Sequence, residues 1–292
     1  MKLATLIIGG EPILAVVSAK EDAFWTVEQL SGRRFASMTE LIAEYASVKG
    51  ALVPTGGGRP LAGVRICAPL KPARNVMCVG KNYHAHAREF TGSGFDSSAK
   101  NLDEAIPDAP IFFTKPPETV IGPGQHIQYP TGLSEQIDYE AELGVVIGKA
   151  GKRIPKAEAL EYVFGYLNIN DVTARDLQAK YKQWFIGKSL DTFCPMGPWL
   201  VTADEIAHSN LSIKCWVKGE LRQNANTGDL IFDVPTLIAT LSAGLTLQPG
   251  DVIATGTPAG VGIGFKPPKF LSPGDEVEIE IEGLGRLVNR LM

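Results

Sequence analysis

Cysteine and histidine are scarce, with four of each in 292 residues. Cys67, Cys78, Cys194 and Cys215 are scattered without a Cys-x-x-Cys pair, which argues against a structural zinc site and against a disulfide framework. They read as reduced thiols of a cytoplasmic protein. Long apolar runs are missing as well: none approaches the ~20 residues that a membrane-spanning helix needs. The opening stretch MKLATLIIGGEPILAVVS is broken by Gly9, Gly10, Glu11 and Pro12, which suits a hairpin turn better than a signal peptide. Nor is there an excess of positive charge. With 28 basic and 32 acidic residues, the formal charge of −4 gives no electrostatic case for a nucleic-acid or acidic-membrane partner. What is present is an ordinary globular composition, long enough for one large domain with a small appendage.

Residues 1 to about 50 read as a hairpin followed by a helix that begins near Met38. The stretch VPTGGGRPLAG punctuates rather than packs, and the boundary is expected between Val64 and Pro72. This predicts a small N-terminal α+β domain over 1–68 and a main domain over 69–292. Turn signals then recur at Gly122-Pro123-Gly124, Pro130-Thr131-Gly132, Pro249-Gly250-Asp251 and Pro273-Gly274-Asp275, each followed by an apolar or β-branched segment. The expected fold class is α+β, mainly β. Helices are expected at Tyr83–Glu89, Lys156–Tyr162, Ala174–Lys182 and Val234–Ser242.

Four stretches could carry chemistry. In QIDYEAELGVVIG, Glu140 and Glu142 are two apart and share a strand face, ahead of an apolar run that reads as covered on both sides. Like charges held that close call for a cation. In GYLNINDVTARDLQ, Asp171 offers a third carboxylate, although an Asp before a helix is by itself more often an N-cap. Three hard oxygen ligands favour Mg²⁺ or Mn²⁺ over zinc. In VGKNYHAHAREF, His86 and Glu89 share a helix face, so the carboxylate can orient the imidazole as a base, or the two form an ordinary surface pair; His84 faces elsewhere. In QWFIGKSLDTFCPMGP, Lys188 reads as a contact for a substrate carboxylate or oxyanion, or as a solvated loop lysine. Gly256, Gly260, Gly262 and Gly264 lack the Walker ending, so a backbone turn hugging a small ligand fits better than nucleotide binding.

Together these segments resemble the fumarylacetoacetate hydrolase family. The matching motifs are N-Y-x-x-H-x-x-E from Asn82, D-Y-E-x-E-L from Asp138, N-D-x-T-A-R-D-x-Q from Asn170, G-K-S-x-D-T-x-x-P-x-G-P from Gly187, and G-D-x-I-A-T-G-T-P-x-G-V-G ending at Gly262. The resemblance implies a mixed β-roll with flanking helices and a homodimer. It implies that Glu140, Glu142 and Asp171 hold Mg²⁺ or Mn²⁺, and that His86 and Glu89 are a catalytic dyad on a lid, continued by the Ser- and Gly-rich TGSGFDSSAKN. Arg175, Gln178 and Lys188 fall where relatives contact substrate, Lys188 with a catalytic part, and Thr257 falls in the motif closing the metal pocket. The implied reaction is cleavage of the C3–C4 bond of a 2-oxo acid: decarboxylation of oxaloacetate, or hydrolysis of an acylpyruvate or other diketo acid. The segments IGKSLDTFCPMGP and GIGFKPPKFL look most like the oxaloacetate decarboxylase branch. Other relatives isomerise or decarboxylate intermediates of aromatic degradation, of the 2-hydroxyhepta-2,4-diene-1,7-dioate type. A non-catalytic ligand-binding module is the alternative from a different class. The fourth acidic metal ligand and the N-terminal domain of the eukaryotic name-giving enzyme are not reproduced here.

Overall fold

The computed structural model describes residues 1–96 and 101–292. Positions 97–100, within the Ser- and Gly-rich stretch expected to be mobile, lie outside the described residues. The chain opens as expected with the antiparallel strands Lys2–Ile8 and Glu11–Val17. Gly9 and Gly10 turn between them at φ +62° and +90°, the left-handed pair a two-residue hairpin of this hand requires. A third strand, Ala23–Thr26, and a short helix, Val27–Ser31, follow. The next helix spans Met38–Val48 because Ser37 caps it, its side chain accepting from the Glu40 amide, while Leu41 and Ile42 turn inward.

A mixed 12-stranded sheet organises the molecule. At its centre Val163–Asn170 lies between Ala141–Ile147 and Cys194–Thr202, antiparallel to both. Ala141–Ile147 pairs in turn with Val252–Ala254, which runs parallel to Val76–Gly80. Every residue of Ala141–Ile147 is buried, so the apolar run read as covered on both faces is so. The N-terminal hairpin joins this sheet, Lys2–Ile8 pairing with Cys194–Thr202, so residues on both sides of position 68 share one sheet. A five-stranded sheet includes Ser212–Val217, Glu276–Ile281 and Arg286–Leu291. The architecture is α+β and mainly β.

The helices fall close to where the pattern put them, at His84–Gly92, Arg175–Tyr181 and Val234–Gly244. Lys156–Tyr162 differs: it is a 3-10 helix, entered from Pro155 and leading straight into the strand at Val163. Seven residues between a proline and a buried strand give little length for an α-helix to propagate. Among the described residues no helix is long and apolar enough to cross a membrane.

Candidate active site

Strand direction builds the site. Glu140 stands at the start of Ala141–Ile147, and Asp171 just past the end of its antiparallel neighbour. The Asp171 amide donates to the Glu140 carbonyl (2.9 Å), which fixes the two residues side by side across 31 positions of sequence. Gly256 and Lys81 lie just past the ends of the next two strands, at the same edge. Carboxylate oxygens of Glu140, Glu142 and Asp171 lie within 4.8 Å of one another, all three residues buried. Asp171 is no helix cap: Ala174 precedes the helix Arg175–Tyr181 and makes no side-chain cap.

Three cations answer these acids. Lys188 is not a solvated loop residue; it ends the short helix Phe185–Lys188, is 2% exposed, and its Nζ lies 2.7 Å from Glu140 Oε2 and 2.8 Å from Asp171 Oδ2. Gly187 allows this approach, since a Cβ there would come within 2.6 Å of the Gln178 amide nitrogen and 2.7 Å of the Ala174 carbonyl oxygen. Arg175 Nε donates to Asp138 Oδ2 (2.9 Å) and Nη1 to Gln178 Oε1 (3.1 Å). Its Nη2 is 2.7 Å from Glu140 Oε1, a buried ion pair. Lys115, fully buried, donates to Asp171 Oδ1 (2.5 Å), to the Val172 carbonyl (3.0 Å) and to the Lys188 carbonyl.

The acids respond unequally. Burial alone would push Glu140 up, but Lys188, then Arg175 and His86, outweigh it and hold its carboxyl at about 2. Glu142 goes the other way: burial, then Asp171 and Glu140, push it well above the usual carboxylate range. The Gly256 amide donates to its carboxylate (2.8 Å). Burial disfavours the Lys188 ammonium, yet Asp171 and Glu140 raise its pKa overall. Lys188, Arg175 and Lys115 pair with Glu140, Asp138 and Asp171, whereas Glu142 takes its hydrogen bond from a backbone amide. A hard divalent cation fits this donor set, because three buried carboxylates converge there and one of them has no cation bonded to it among the described residues.

His86 is buried and its Nδ1 lies 3.2 Å from Glu89 Oε2; His84 is exposed, as its place on the helix predicts. Glu89 is held from the far side by the Gly260 amide at 2.9 and 3.2 Å. The glycine-rich turn hugs the chain's own carboxylates: the Gly256 amide holds Glu142, the Gly260 amide holds Glu89, and the Gly262 amide donates to Asp138 Oδ1 (2.6 Å). His86, Glu140, Arg175, Gln178, Lys188 and Thr257 line one narrow cleft, walled by Phe90, Phe113 and Trp184. The Thr257 hydroxyl accepts from Gln223 Nε2 (2.8 Å), while the Ala141 amide donates to Gln223 Oε1 (3.0 Å).

Sequence reasoning passed over Lys115, Asp138, Gln223 and Asn82. Asp138 was within reach, because it continues the every-second-residue series of Glu140 and Glu142. Lys115 carried a weaker signal, a lysine closing the strand Ile111–Lys115.

Residues 75–292 match the family described as Fumarylacetoacetate (FAA) hydrolase C-terminal. The chain belongs to the fumarylacetoacetate hydrolase family. Among its relatives is the oxaloacetate tautomerase YisK of Bacillus subtilis (strain 168), 51% identical over 233 residues, 79% of this chain and 74% of that one. A fumarylacetoacetate hydrolase from psychrophilic Exiguobacterium antarcticum superposes with a TM-score of 0.86 at 40% identity, covering 100% of this chain and 99% of the other. A maleylpyruvate hydrolase from Sphingobium sp. SYK-6, solved with manganese(II) and pyruvate, gives a TM-score of 0.79 at 32% identity over 100% and 99%. The two solved enzymes share the fold over the whole chain.

Proposed function

We propose that this chain is a divalent-metal-dependent enzyme that cleaves the C3–C4 bond of a 2-oxo acid, decarboxylating oxaloacetate or hydrolysing an acylpyruvate. The observation that carries this reading is that Glu140, one of three clustered buried carboxylates with Glu142 and Asp171, lines one cleft together with His86, whose Nδ1 faces Glu89. Glu140, Glu142 and Asp171 would hold Mg²⁺ or Mn²⁺, which supplies a Lewis acid for the 2-oxo oxygen onto which charge from C3 is delocalised. The relative solved with manganese(II) and pyruvate supports that assignment.

The remaining chemistry belongs to the side chains. Arg175 and the Gln178 amide, both on the cleft wall, position the 2-oxo acid carboxylate. Lys188 has three donors, of which Glu140 and Asp171 take two, leaving one for a substrate oxygen that gains charge. Glu89 accepts from His86 Nδ1, so Nε2 is the basic nitrogen that takes a proton from water when C4 is a ketone. When C4 is a carboxylate, CO₂ leaves without water. Thr257, fixed by Gln223, closes the cleft, and the three aromatic residues exclude solvent.

The test is incubation with Mg²⁺ or Mn²⁺, with and without EDTA, following oxaloacetate and acetylpyruvate in parallel. Chelator-sensitive loss of either above the metal-only background supports the reading; full activity without metal sinks it. A second reading, keto–enol tautomerisation of oxaloacetate, is favoured by the 51% identical tautomerase. In it the His86–Glu89 pair moves the C3 proton and no bond to C4 breaks. Faster decay of enol absorbance without pyruvate separates it from decarboxylation. A homodimer and a cytoplasmic location complete the proposal. The exposed Tyr181, Phe185 and Ile186 offer apolar surface for a partner copy, and the four cysteines are free thiols. Sedimentation velocity measures the former.

A further inference from the structure

Lys81 borders the same cleft and has no part in the chemistry above. It is 3% exposed, and its backbone sits in the left-handed region at φ +56°, where a residue with a Cβ is strained. Asn82 holds it there. The Asn82 carboxamide donates to the carbonyls of Phe232 (3.0 Å) and Thr255 (2.8 Å) and accepts from the Phe232 amide (2.8 Å), so the strained conformation is fixed by two other segments.

Asp96 Oδ2 lies 2.8 Å from Lys81 Nζ and also accepts from the Thr91 hydroxyl (2.6 Å). This pair differs from the other three cation contacts of the site. Lys115, Arg175 and Lys188 are matched by carboxylates on the central strands or their immediate ends, whereas Asp96 arrives on the segment after the helix His84–Gly92. The carboxylate on Lys81 is thus delivered by the segment after that helix rather than by the sheet.

We propose that Lys81 is a specificity-determining residue that binds a second carboxylate of the substrate, remote from the 2-oxo acid head, with Asp96 standing on the lysine as an internal competitor for that carboxylate. This deepens the reading of the site as a 2-oxo acid site and rests on it: the preferred substrate is a small 2-oxo dicarboxylate rather than a monocarboxylate. The head is read by Arg175 and Gln178, the tail by Lys81. A consequence follows for oxaloacetate. The carboxylate that departs as CO₂ loses its charge on the way, so a cation paired with it stabilises the reactant more than the transition state and favours keeping the bond.

The experiment compares oxaloacetate with 2-oxobutyrate, four-carbon acids that differ in the terminal carboxylate. Binding to the Mn²⁺-loaded chain is followed by stopped-flow tryptophan fluorescence, Trp184 being on the cleft wall, so the readout does not require turnover. Lys81→Met is expected to weaken oxaloacetate about tenfold or more, the loss of a charged hydrogen bond, and 2-oxobutyrate less than about threefold. Asp96→Asn is expected to tighten oxaloacetate and leave 2-oxobutyrate unchanged. In product analysis, Lys81→Met is expected to raise the share of bound oxaloacetate that ends as pyruvate. Equal weakening of both acids by Lys81→Met, or wild-type affinity that ignores the second carboxylate, overturns the inference while leaving C–C cleavage standing. Discrimination that persists in a chain unable to cleave or tautomerise either acid leaves the inference standing and removes the functional reading.

Discussion

Glu142, 1% exposed between Glu140 and Asp171, has its pKa raised by burial and by those two neighbours, so the cation-free chain tends to keep a proton there. A group whose folded pKa lies above its unfolded one binds more protons when folded, so its contribution to stability is lost as pH rises through the raised value. Glu140, held at about 2, works in the opposite sense, and its contribution is lost as pH falls below the ordinary carboxylate range. Thermal melts of the cation-free chain are therefore expected to show destabilisation on both sides, with Mn²⁺ restoring the alkaline side; a melt independent of Mn²⁺ at every pH would contradict this. Cation binding should also release protons and tighten with pH, visible by calorimetry in two buffers of different ionisation enthalpy. Glu140→Ala is expected to abolish both cation binding and activity. His86→Ala should damage acylpyruvate hydrolysis more than oxaloacetate decarboxylation, because only the former needs activated water; equal losses would contradict that division.

The glycine-rich turn acts on the site through its backbone. A Cβ on Gly264 would lie 1.9 Å from Glu89 Oε1, so Gly264→Ala must displace the carboxylate that orients His86. The expected result is a fall in hydrolysis of at least tenfold, in the range a positioned general base contributes, with the melting temperature little changed because Glu89 is partly exposed. A large loss of stability with normal residual kinetics would show the turn to be structural only. Lys115 behaves differently, since it ties the strand Ile111–Lys115 to Asp171 from inside the core. Lys115→Met leaves part of a buried charge uncompensated, at a cost of about 3 kcal/mol, measurable as a lowered urea midpoint.

At the level of the molecule, the first 68 residues contribute more than an appendage would. We propose the 1–68 and 69–292 division as one of function, with the first part completing the core. Leu3, Leu41 and Ile42 pack in one apolar cluster with Val76, Val146 and Leu200, and Lys2–Ile8 covers Cys194–Thr202 along the sheet. A chain beginning at 69 would expose that cluster and open the edge of Cys194–Thr202 at Leu200 and Val201, a template for aggregation. It is expected to be insoluble or to melt well below the full chain; an equally stable, active fragment would refute the shared core.

The sequence determined a good deal by local period and order. Alternation in QIDYEAELGVVIG put Glu140 and Glu142 on one face, and the three-residue spacing of His86 and Glu89 put them on another, because strand and helix geometry are set by the next few residues. The succession of five motifs carried the family and, with it, the trio of carboxylates. Tertiary structure alone decided who answers those charges. Lys115 reaches Asp171 across 56 positions, Gln223 reaches Thr257 across 34, and the amides of Gly256 and Gly260 reach Glu142 and Glu89 across 114 and 171. Such pairings depend on strand order and register, which no short window of sequence encodes, and a buried charge takes its pKa from whichever partners that register delivers.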